Sequence, residues 1–263
     1  MQSYSHFQSG AKKALGQHFL TDQNIIDRIV DAVNVQADDH VIEIGPGRGA
    51  LTLPLLRQLR ALTVVELDRD LISPLAHIAR SHGALNIIHA NVLRLDFTAF
   101  KPAPLRLVGN LPYNLSSPIL FHTLSAAPAV QDMHFMLQKE VVERMASPPG
   151  SKVYGRLSVM LQAKCTIEPL FTVPPEAFSP PPKVHSAVVR LTPLPDHYVS
   201  IQHWEQFSLV VRAAFSLRRK TLRNALGRMC TAEQFKRAGV DADARAEDLD
   251  VRAFIALSNT ISV

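Results

Sequence analysis

The feature that most constrains the fold is an alternation of short strand-like runs with segments of helical periodicity, over residues 25–137. The strand-like runs, rich in Val, Ile and Leu, lie at 41–44, 62–65 and 86–89, before Gly109, and at 133–137. Helical spacing of apolar residues occurs at 25–33, 51–59, 71–80 and 118–124. Because parallel strands need a crossover connection, usually a helix, this pattern predicts an α/β fold with a doubly wound, mostly parallel sheet.

The character of the sequence changes near Pro193. Two further strand-like runs, Thr166–Val173 and Val184–Leu191, flank the rigid stretch PPEAFSPPPK and are expected to pair antiparallel at the sheet edge. From about Pro193 onward the apolar residues recur at helical spacing. For a chain of 263 residues we therefore expect a main domain over 1–192 and a small all-helical C-terminal domain over 193–263.

The charge and the cysteine content of the sequence indicate the class of binding partner and the cellular compartment. The 28 Lys and Arg residues exceed the 23 Asp and Glu residues, which favours a polyanionic partner. Cys165 and Cys230 do not have the spacing of a metal-binding pair, and lone thiols of this kind are typical of a reducing compartment. Neither a signal peptide nor a membrane span is visible in the sequence. We expect a cytoplasmic protein without a metal site.

A glycine-rich turn follows the first long strand in the stretch VIEIGPGRGALT. Gly45, Gly47 and Gly49 form a G-x-G-x-G pattern, which differs from the dinucleotide and P-loop fingerprints. Glu66 ends the next strand, 21 positions after Gly45, where a carboxylate can accept both hydroxyls of a ribose. Asn91 follows the third strand at the same edge. Although a tight turn without ligand is the alternative for the glycines alone, the set together predicts a nucleoside-type ligand.

The stretch LVGNLPYN places an amide, a restricted peptide and an aromatic ring at the end of the fourth strand. Pro112 biases Leu111 toward an extended conformation, which fixes the direction of its carbonyl group. The side-chain oxygen of Asn110 is a second acceptor, and Tyr113 offers a face on which a planar base can stack. The alternative is an ordinary loop with a buried tyrosine. With the glycines and Glu66 nearby, we interpret the stretch as a site for a base with an exocyclic amine.

The C-terminal part carries a basic segment between Gln206 and Ala232. Its basic residues are Arg212, Arg218, Arg219, Lys220, Arg223 and Arg228, and it contains no acidic residue. A basic helix can follow the phosphates of a nucleic acid. A solvated face of a helical bundle is the alternative for each single arginine.

Five stretches in a fixed order resemble the ribosomal RNA adenine dimethyltransferase family. They are LGQHFL, VIEIGPGRGALT, VVELDRDL, GNLPYN and FSPPPKVHSAVVRL. The resemblance runs from about Gly16 to Arg223 and is strongest to the bacterial small-subunit branch. Many S-adenosyl-L-methionine enzymes share the glycine-rich element, whereas NLPY together with FSPPPKV is far more specific.

The resemblance implies a Rossmann-like class I methyltransferase that dimethylates the N6 atoms of two adjacent adenosines in a hairpin loop near the 3′ end of 16S rRNA. The implied cofactor is S-adenosyl-L-methionine, and the implied partner is 16S rRNA within a small ribosomal subunit or its precursor, bound by a monomer. The implied cofactor contacts are His18, Leu20, Gly45, Gly47, Glu66, Asn91 and Asn110. The implied target-base residues are Asn110, Leu111, Tyr113 and Phe178, the last as a second stacking face. The expected RNA contacts are Arg212, Arg219, Lys220 and Arg223.

Two positions depart from the family pattern, which usually has Asn at position 18 and Asp at position 91. Two alternative functions also stay open on the sequence alone. One is a large-subunit rRNA adenine methyltransferase of the antibiotic-resistance type, which the full FSPPPKV element and the long helical tail disfavour. The other is a ribosome-assembly or transcription factor that keeps the fold and RNA binding but has lost turnover, which Asn91 makes conceivable.

Overall fold

The computed structural model describes residues 17–195, 200–217, 219–227 and 229–261. Its strands are β1 (Phe19–Leu20), β2 (His40–Ile44), β3 (Ala61–Glu66), β4 (Ala84–His89), β5 (Leu105–Asn110), β6 (Val130–Gln138), β7 (Cys165–Val173), β8 (Phe178–Ser179) and β9 (Ser186–Pro193). Its helices are α1 (Gln23–Val33), α2 (Thr52–Leu56), α3 (Arg69–Ala79), α4 (Ser116–Leu124), α5 (Lys139–Ala146), α6 (Arg156–Gln162), α7 (Trp204–Ser216), α8 (Leu222–Leu226), α9 (Ala232–Ala238) and α10 (Val251–Asn259).

Seven strands form one sheet in the order β4-β3-β2-β5-β6-β9-β7. The strands from β4 to β6 pair in parallel, and β9 runs antiparallel to β6. The order reverses beside β2, which is a topological switch point of a doubly wound sheet. The predicted fold class is therefore confirmed. The two strand-like runs around PPEAFSPPPK are neighbours at the sheet edge, as β7 and β9.

Helix α1 shows how local sequence produces an element of this fold. Asp22 caps its first turn by accepting from the backbone N–H of Ile25 at 3.1 Å. The helix ends at Asn34, which adopts the left-handed conformation with φ of 50°. The apolar face predicted from the sequence is buried, and its members are Ile25, Ile26, Ile29, Val30 and Val33. The burial of this stripe attaches the helix to the sheet.

Strands β2 and β5, at the centre of the sheet, approach each other closely at the carboxyl end of β5. A Cβ atom at Gly109 would lie 2.5 Å from the backbone oxygen of Ile44 on β2. No side chain fits there, so glycine at this position permits β5 to carry Asn110 to the edge of the sheet beside the glycine-rich turn.

The described residues divide into two compact units, one within Met1–Val142 and Glu168–Pro193 and one within Glu143–Ile167 and Leu194–Val263. The expected boundary near Pro193 coincides with one junction. The expectation that all residues up to 192 form the first domain differs from this division, because residues 143–167 pack with the C-terminal helices. Within that second unit α6 packs on α7, and the hydroxyl of buried Tyr154 donates to the carbonyl of Leu249 at 2.9 Å.

A buried polar cluster joins α1 to the amino-terminal ends of β5 and β6. Arg106 is paired with Asp132 at 2.8 Å and with Asp39 at 2.7 Å. The same guanidinium donates to the carbonyl oxygens of Val33 at 2.6 Å and Asn34 at 3.1 Å, at the end of α1. The arginine therefore satisfies helix carbonyls that the helix itself leaves unpaired.

Candidate functional site

A cavity opens at the carboxyl ends of the parallel strands, within the first unit. It is lined by the segment after residue 16, the glycine-rich turn after β2, the end of β3, the residues after β4 and the NLPY loop after β5. Its lining includes the predicted residues His18, Leu20, Gly45, Gly47, Glu66, Asn91, Asn110, Leu111 and Tyr113. Ligands of open α/β sheets bind at this edge, because the crevice lies where neighbouring crossovers diverge.

The glycine-rich turn presents its backbone to the cavity. Gly45 donates its N–H to the carbonyl of Val65 at 2.9 Å, which ties the turn to β3. Gly47 has a φ of 57°, and a Cβ atom there would lie 3.2 Å from the ring of Phe19. Both the left-handed backbone and the aromatic neighbour therefore favour glycine at position 47.

Glu66 is buried at the end of β3, with 6 % of its surface exposed. Its carboxylate accepts from the backbone N–H groups of Gly47 at 3.2 Å and Asp68 at 2.7 Å. Burial raises the pKa of Glu66, and the backbone hydrogen bonds oppose that rise. The glycine-rich turn and β3 thus position one carboxyl group at the cavity wall.

A second buried carboxyl group, Glu43, lines the same cavity and is absent from the residues predicted from the sequence. Only 2 % of Glu43 is exposed, and its Oε2 accepts from Thr52 Oγ1 at 2.6 Å. Burial raises the pKa of Glu43 to about 8, the Thr52 hydrogen bond opposes the rise, and the nearby Glu66 charge adds to it. A signal for Glu43 does exist, since a carboxylate within the apolar run VIEI directly before a glycine-rich turn requires a partner or a function.

The raised pKa of Glu43 predicts that the stability of the fold decreases as pH rises, and the variant Glu43→Gln tests this prediction. The unfolded carboxyl loses its proton near 4.5, whereas the folded one holds it to about 8, so wild-type stability falls as pH rises through this window. We expect Glu43→Gln, which keeps an acceptor for Thr52, to be no more stable than wild type at pH 4. At pH 7 it should be more stable by about 3 kcal/mol, from ~1.4 kcal/mol per pKa unit. Urea unfolding at both pH values measures this, and an equal difference at both would contradict it.

The end of β4 contributes Asn91 to the cavity lining. The Oδ1 atom of Asn91 accepts from the backbone N–H of Leu93 at 3.0 Å and caps the short turn Val92–Arg94. The exposed side chain of Leu67, 45 % accessible, lines the cavity after β3. A flat ring that carries an amine could therefore pack on Leu67 and donate a hydrogen bond to the amide oxygen of Asn91.

The NLPY loop brings its polar groups to the same cavity from the end of β5. Asn110 Nδ2 donates to the backbone carbonyl of His18 at 3.0 Å. The Leu111 side chain is buried, with 1 % exposure, and its N–H donates to the carbonyl of Met136 at 3.1 Å. These contacts fix the backbone of the loop and the plane of the Asn110 amide.

Tyr113 is held at two points. Its hydroxyl is 2.6 Å from Ser186 Oγ on β9, and its ring stacks on the imidazole of His18 with centroids 5.5 Å apart and planes inclined by 25°. Burial raises the pKa of the Tyr113 phenol, against the effect of the Ser186 hydrogen bond. Tyr113 therefore stays a neutral aromatic group with a fixed ring plane.

Phe178 does not join these residues. It lies in β8, which pairs with β1, and it is packed in the apolar core with 3 % exposure. It is not among the residues that line the cavity. The structure therefore keeps Phe178 below the surface of the site, and its role as a second stacking face stays a prediction.

The four expected RNA contacts lie in the second unit and are all exposed. Arg212 is on α7, while Arg219 and Lys220 lie in the turn before α8. Arg223 differs, because its guanidinium forms two hydrogen bonds of 3.0 and 3.2 Å with the carboxylate of Asp243. Arg218 and Arg228 lie outside the described residues.

Neither a metal cluster nor a membrane-spanning helix occurs in the part of the chain that the structure describes. Within those ranges, no group of three or more His, Cys, Asp or Glu side chains is arranged to hold a metal ion. Among the same residues, no helix combines the length and apolar character needed to cross a membrane.

Comparisons with known proteins identify the family of the chain. The family model for "Ribosomal RNA adenine dimethylase" matches residues 8–262. "Ribosomal RNA small subunit methyltransferase A" of Xanthomonas euvesicatoria pv. vesicatoria is 62 % identical over 256 residues, which cover 97 % of this chain and 98 % of that protein.

Two solved structures share the fold over most of their length. A dimethyladenosine transferase from Plasmodium falciparum has a TM-score of 0.80 at 25 % identity, covering 91 % of this chain and 96 % of the other. The 23S rRNA methyltransferase ErmE has a TM-score of 0.73 at 26 % identity, covering 92 % and 99 %. With the family model spanning nearly every residue, the chain belongs to the ribosomal RNA adenine dimethylase family.

Proposed function

We propose that this protein is an S-adenosyl-L-methionine-dependent methyltransferase that dimethylates N6 of two adjacent adenosines near the 3′ end of 16S rRNA. One observation carries the proposal: Asn110 and Tyr113 border the same cavity as Glu66 and the glycine-rich turn. A group held by the NLPY loop is thus adjacent to a ligand held by β2 and β3. The substrate is a small ribosomal subunit or its precursor, consistent with the 62 % identical relative named for the small subunit.

Membership in a class I methyltransferase family implies use of S-adenosyl-L-methionine, and the residues present suit such a ligand. Two buried carboxyl groups, Glu43 and Glu66, line the cavity together with apolar side chains and amides, which suits a ligand that carries hydroxyl groups on an otherwise flat or apolar frame. Glu66 would accept the ribose hydroxyls and Asn91 the adenine amine, with His18, Leu20, Gly45, Gly47 and Asn110 completing the contacts. When bound, the cofactor supplies an electrophilic methyl group on its sulfonium.

The proposed work of the NLPY loop is to orient the target amine. The lone pair of an adenine amine is delocalised into the ring, which makes the nitrogen a poor nucleophile. Asn110 Oδ1 and the Leu111 carbonyl would accept its two hydrogens and favour a pyramidal nitrogen, while Tyr113 stacks on the base. The same oxygens would stabilise the positive charge that develops on the nitrogen. A monomethylated amine retains one N–H, so one of these two contacts stays available for a second transfer.

Glu66→Ala should weaken cofactor binding without unfolding the protein. Loss of a charge-assisted hydrogen bond costs roughly 1.5–3 kcal/mol, so the dissociation constant should rise by about 10- to 150-fold. Titration calorimetry with S-adenosyl-L-methionine measures the change, and Glu205→Ala, at an exposed carboxylate in the second unit, is the control. An unchanged constant for Glu66→Ala would remove this residue from the proposed site.

We propose that the basic residues of the second unit bind rRNA phosphates. Because Arg223 forms an ion pair with Asp243, we expect it to contribute less to RNA binding than Arg219 and Lys220. Replacing Arg219 and Lys220 by Ala should lower the slope of log affinity against log salt by about 0.7 to 0.9 for every phosphate that is no longer bound. Arg223→Ala should change the slope less, because Asp243 is paired with this guanidinium and competes with a phosphate for it. Measurement of binding to small subunits at several salt concentrations tests both predictions. Equal slopes for the wild type and the Arg219/Lys220 variant would mean that these two residues form a solvent-exposed surface that does not contact RNA.

One experiment separates the proposed function from the two alternatives. Undermethylated small and large ribosomal subunits are incubated with the protein and radiolabelled S-adenosyl-L-methionine, and the modified nucleotides are mapped. Dimethylation of two adjacent adenosines in small subunits is expected. Label in 23S rRNA would favour the large-subunit alternative. Binding without label would favour an assembly or transcription factor.

We further propose that the protein acts as a monomer in the cytoplasm.

A further inference from the structure

One residue, His18, contacts both side chains that the proposed function assigns to the target adenine. Its backbone carbonyl accepts from Asn110 Nδ2 at 3.0 Å. Its imidazole stacks on the ring of Tyr113, and its Nδ1 lies 2.8 Å from the carbonyl of Pro180, to which it donates. The residue thus links the start of the described chain, the NLPY loop and the segment FSPPPK.

The first contact decides how the Asn110 amide is oriented. Within an amide group the nitrogen and the oxygen point in different directions, so a hydrogen bond that fixes Nδ2 also fixes Oδ1. The proposed reaction needs Oδ1 as the acceptor for the target amine. The carbonyl of His18 therefore selects the productive orientation of Asn110.

The second contact restrains the Tyr113 ring. Since the hydroxyl is bound to Ser186 and one ring face is covered by His18, rotation of the tyrosine requires both interactions to break. The target base of the proposed reaction would stack on the opposite face. A platform that is ordered before the base arrives avoids the entropic cost of ordering it during binding.

We propose that His18 is a positioning residue for the target base, acting on Tyr113 through its ring and on Asn110 through its carbonyl. The inference rests on the proposed function and adds to the cofactor contact that the family resemblance implies. The two roles differ in what they change. A residue that only contacts the cofactor alters cofactor affinity, whereas a positioning residue alters transfer at saturating cofactor in a way that depends on Tyr113.

A double-mutant cycle tests this dependence. His18→Ala, Tyr113→Ala and the double variant are compared in single-turnover transfer to undermethylated small subunits, at saturating cofactor and substrate. His18→Ala should slow transfer about three- to tenfold, the range expected for loss of an aromatic pair. In the Tyr113→Ala background the same change should have little further effect, because the partner of the stack is already gone. Independent, multiplicative losses would overturn the proposal.

Two further variants keep the test specific. His18→Phe retains a ring but loses the bond to Pro180, and it should recover most of the wild-type rate; failure to recover would count against the stack. His40 is a matched control, because its Nδ1 makes the same 2.8 Å bond to a proline carbonyl, that of Pro102, away from the cavity. His40→Ala should transfer at the wild-type rate. An inactive wild type would remove the proposed function and this inference together, whereas an active wild type with multiplicative losses removes the inference alone.

Discussion

Asn110→Ala should reduce methyl transfer roughly 100- to 1000-fold, the loss seen when one preorganised polar group is removed from the stabilisation of a transition state. The loss should fall on the transfer step, since the interaction with the amine strengthens as positive charge develops on the nitrogen. Single-turnover kinetics at saturating cofactor and small subunits measure this step directly. Cofactor affinity should also fall somewhat, because Asn110 lines the cofactor cavity.

The control for this prediction lies four residues along the same loop. Asn114 has the same side chain, is exposed and does not line the cavity. Asn114→Ala should therefore transfer methyl groups at the wild-type rate, which separates loss of a specific amide from disturbance of the loop. A near-normal rate for Asn110→Ala would contradict the proposed mechanism and leave NLPY as a structural turn.

Arg106→Met should destabilise the fold by roughly 3–5 kcal/mol, because it leaves a buried carboxylate without its charged partner. The Arg106 side chain is 7 % exposed and that of Asp132 is 12 % exposed, so water cannot take the place of the guanidinium. The carbonyls of Val33 and Asn34 at the end of α1 would also lose their donor. Urea unfolding at pH 7 measures the free energy of unfolding of the variant and the wild type.

The exposed pair of Arg60 and Asp38 is the matched control, with side chains 77 % and 73 % exposed. Arg60→Met should cost less than about 1 kcal/mol, as is usual for surface ion pairs. Equal losses for the two variants would mean that burial does not set the strength of the Arg106 pair.

The dependence of stability on pH in the acidic range provides an independent test of the ion pair between Arg106 and Asp132. Burial alone would raise the pKa of Asp132, but the His134 ring 3.5 Å away and two hydrogen bonds from Arg106 outweigh it and lower the pKa below the usual 3.8. A lowered pKa adds stability above the unfolded value, and this stability disappears as pH falls below about 4. Wild-type protein should therefore lose stability on acidification more steeply than Arg106→Met, in which both hydrogen bonds from Arg106 to Asp132 are gone.

The fold class and several polar residues of the cavity lining follow from the amino-acid sequence alone. Strand and helix periods are local properties, so the alternation of runs before residue 137 was sufficient to predict a parallel sheet. Once the sheet is parallel, residues that follow consecutive strands must meet at one edge. This is why Gly45, Glu66, Asn91 and Asn110 could be grouped from sequence, and they do line one cavity.

The contacts that act on those residues from far along the chain depend on the three-dimensional packing. Ser186 reaches Tyr113 from 73 residues away, and His18 reaches Asn110 from 92 residues away, through pairings that no local period encodes. The burial of Phe178 and the pairing of Arg223 with Asp243 likewise depend on which surfaces pack together. Residues 143–167 join the C-terminal helices for the same reason, because burial of an apolar face stabilises the chain whichever partner covers it, regardless of sequence order.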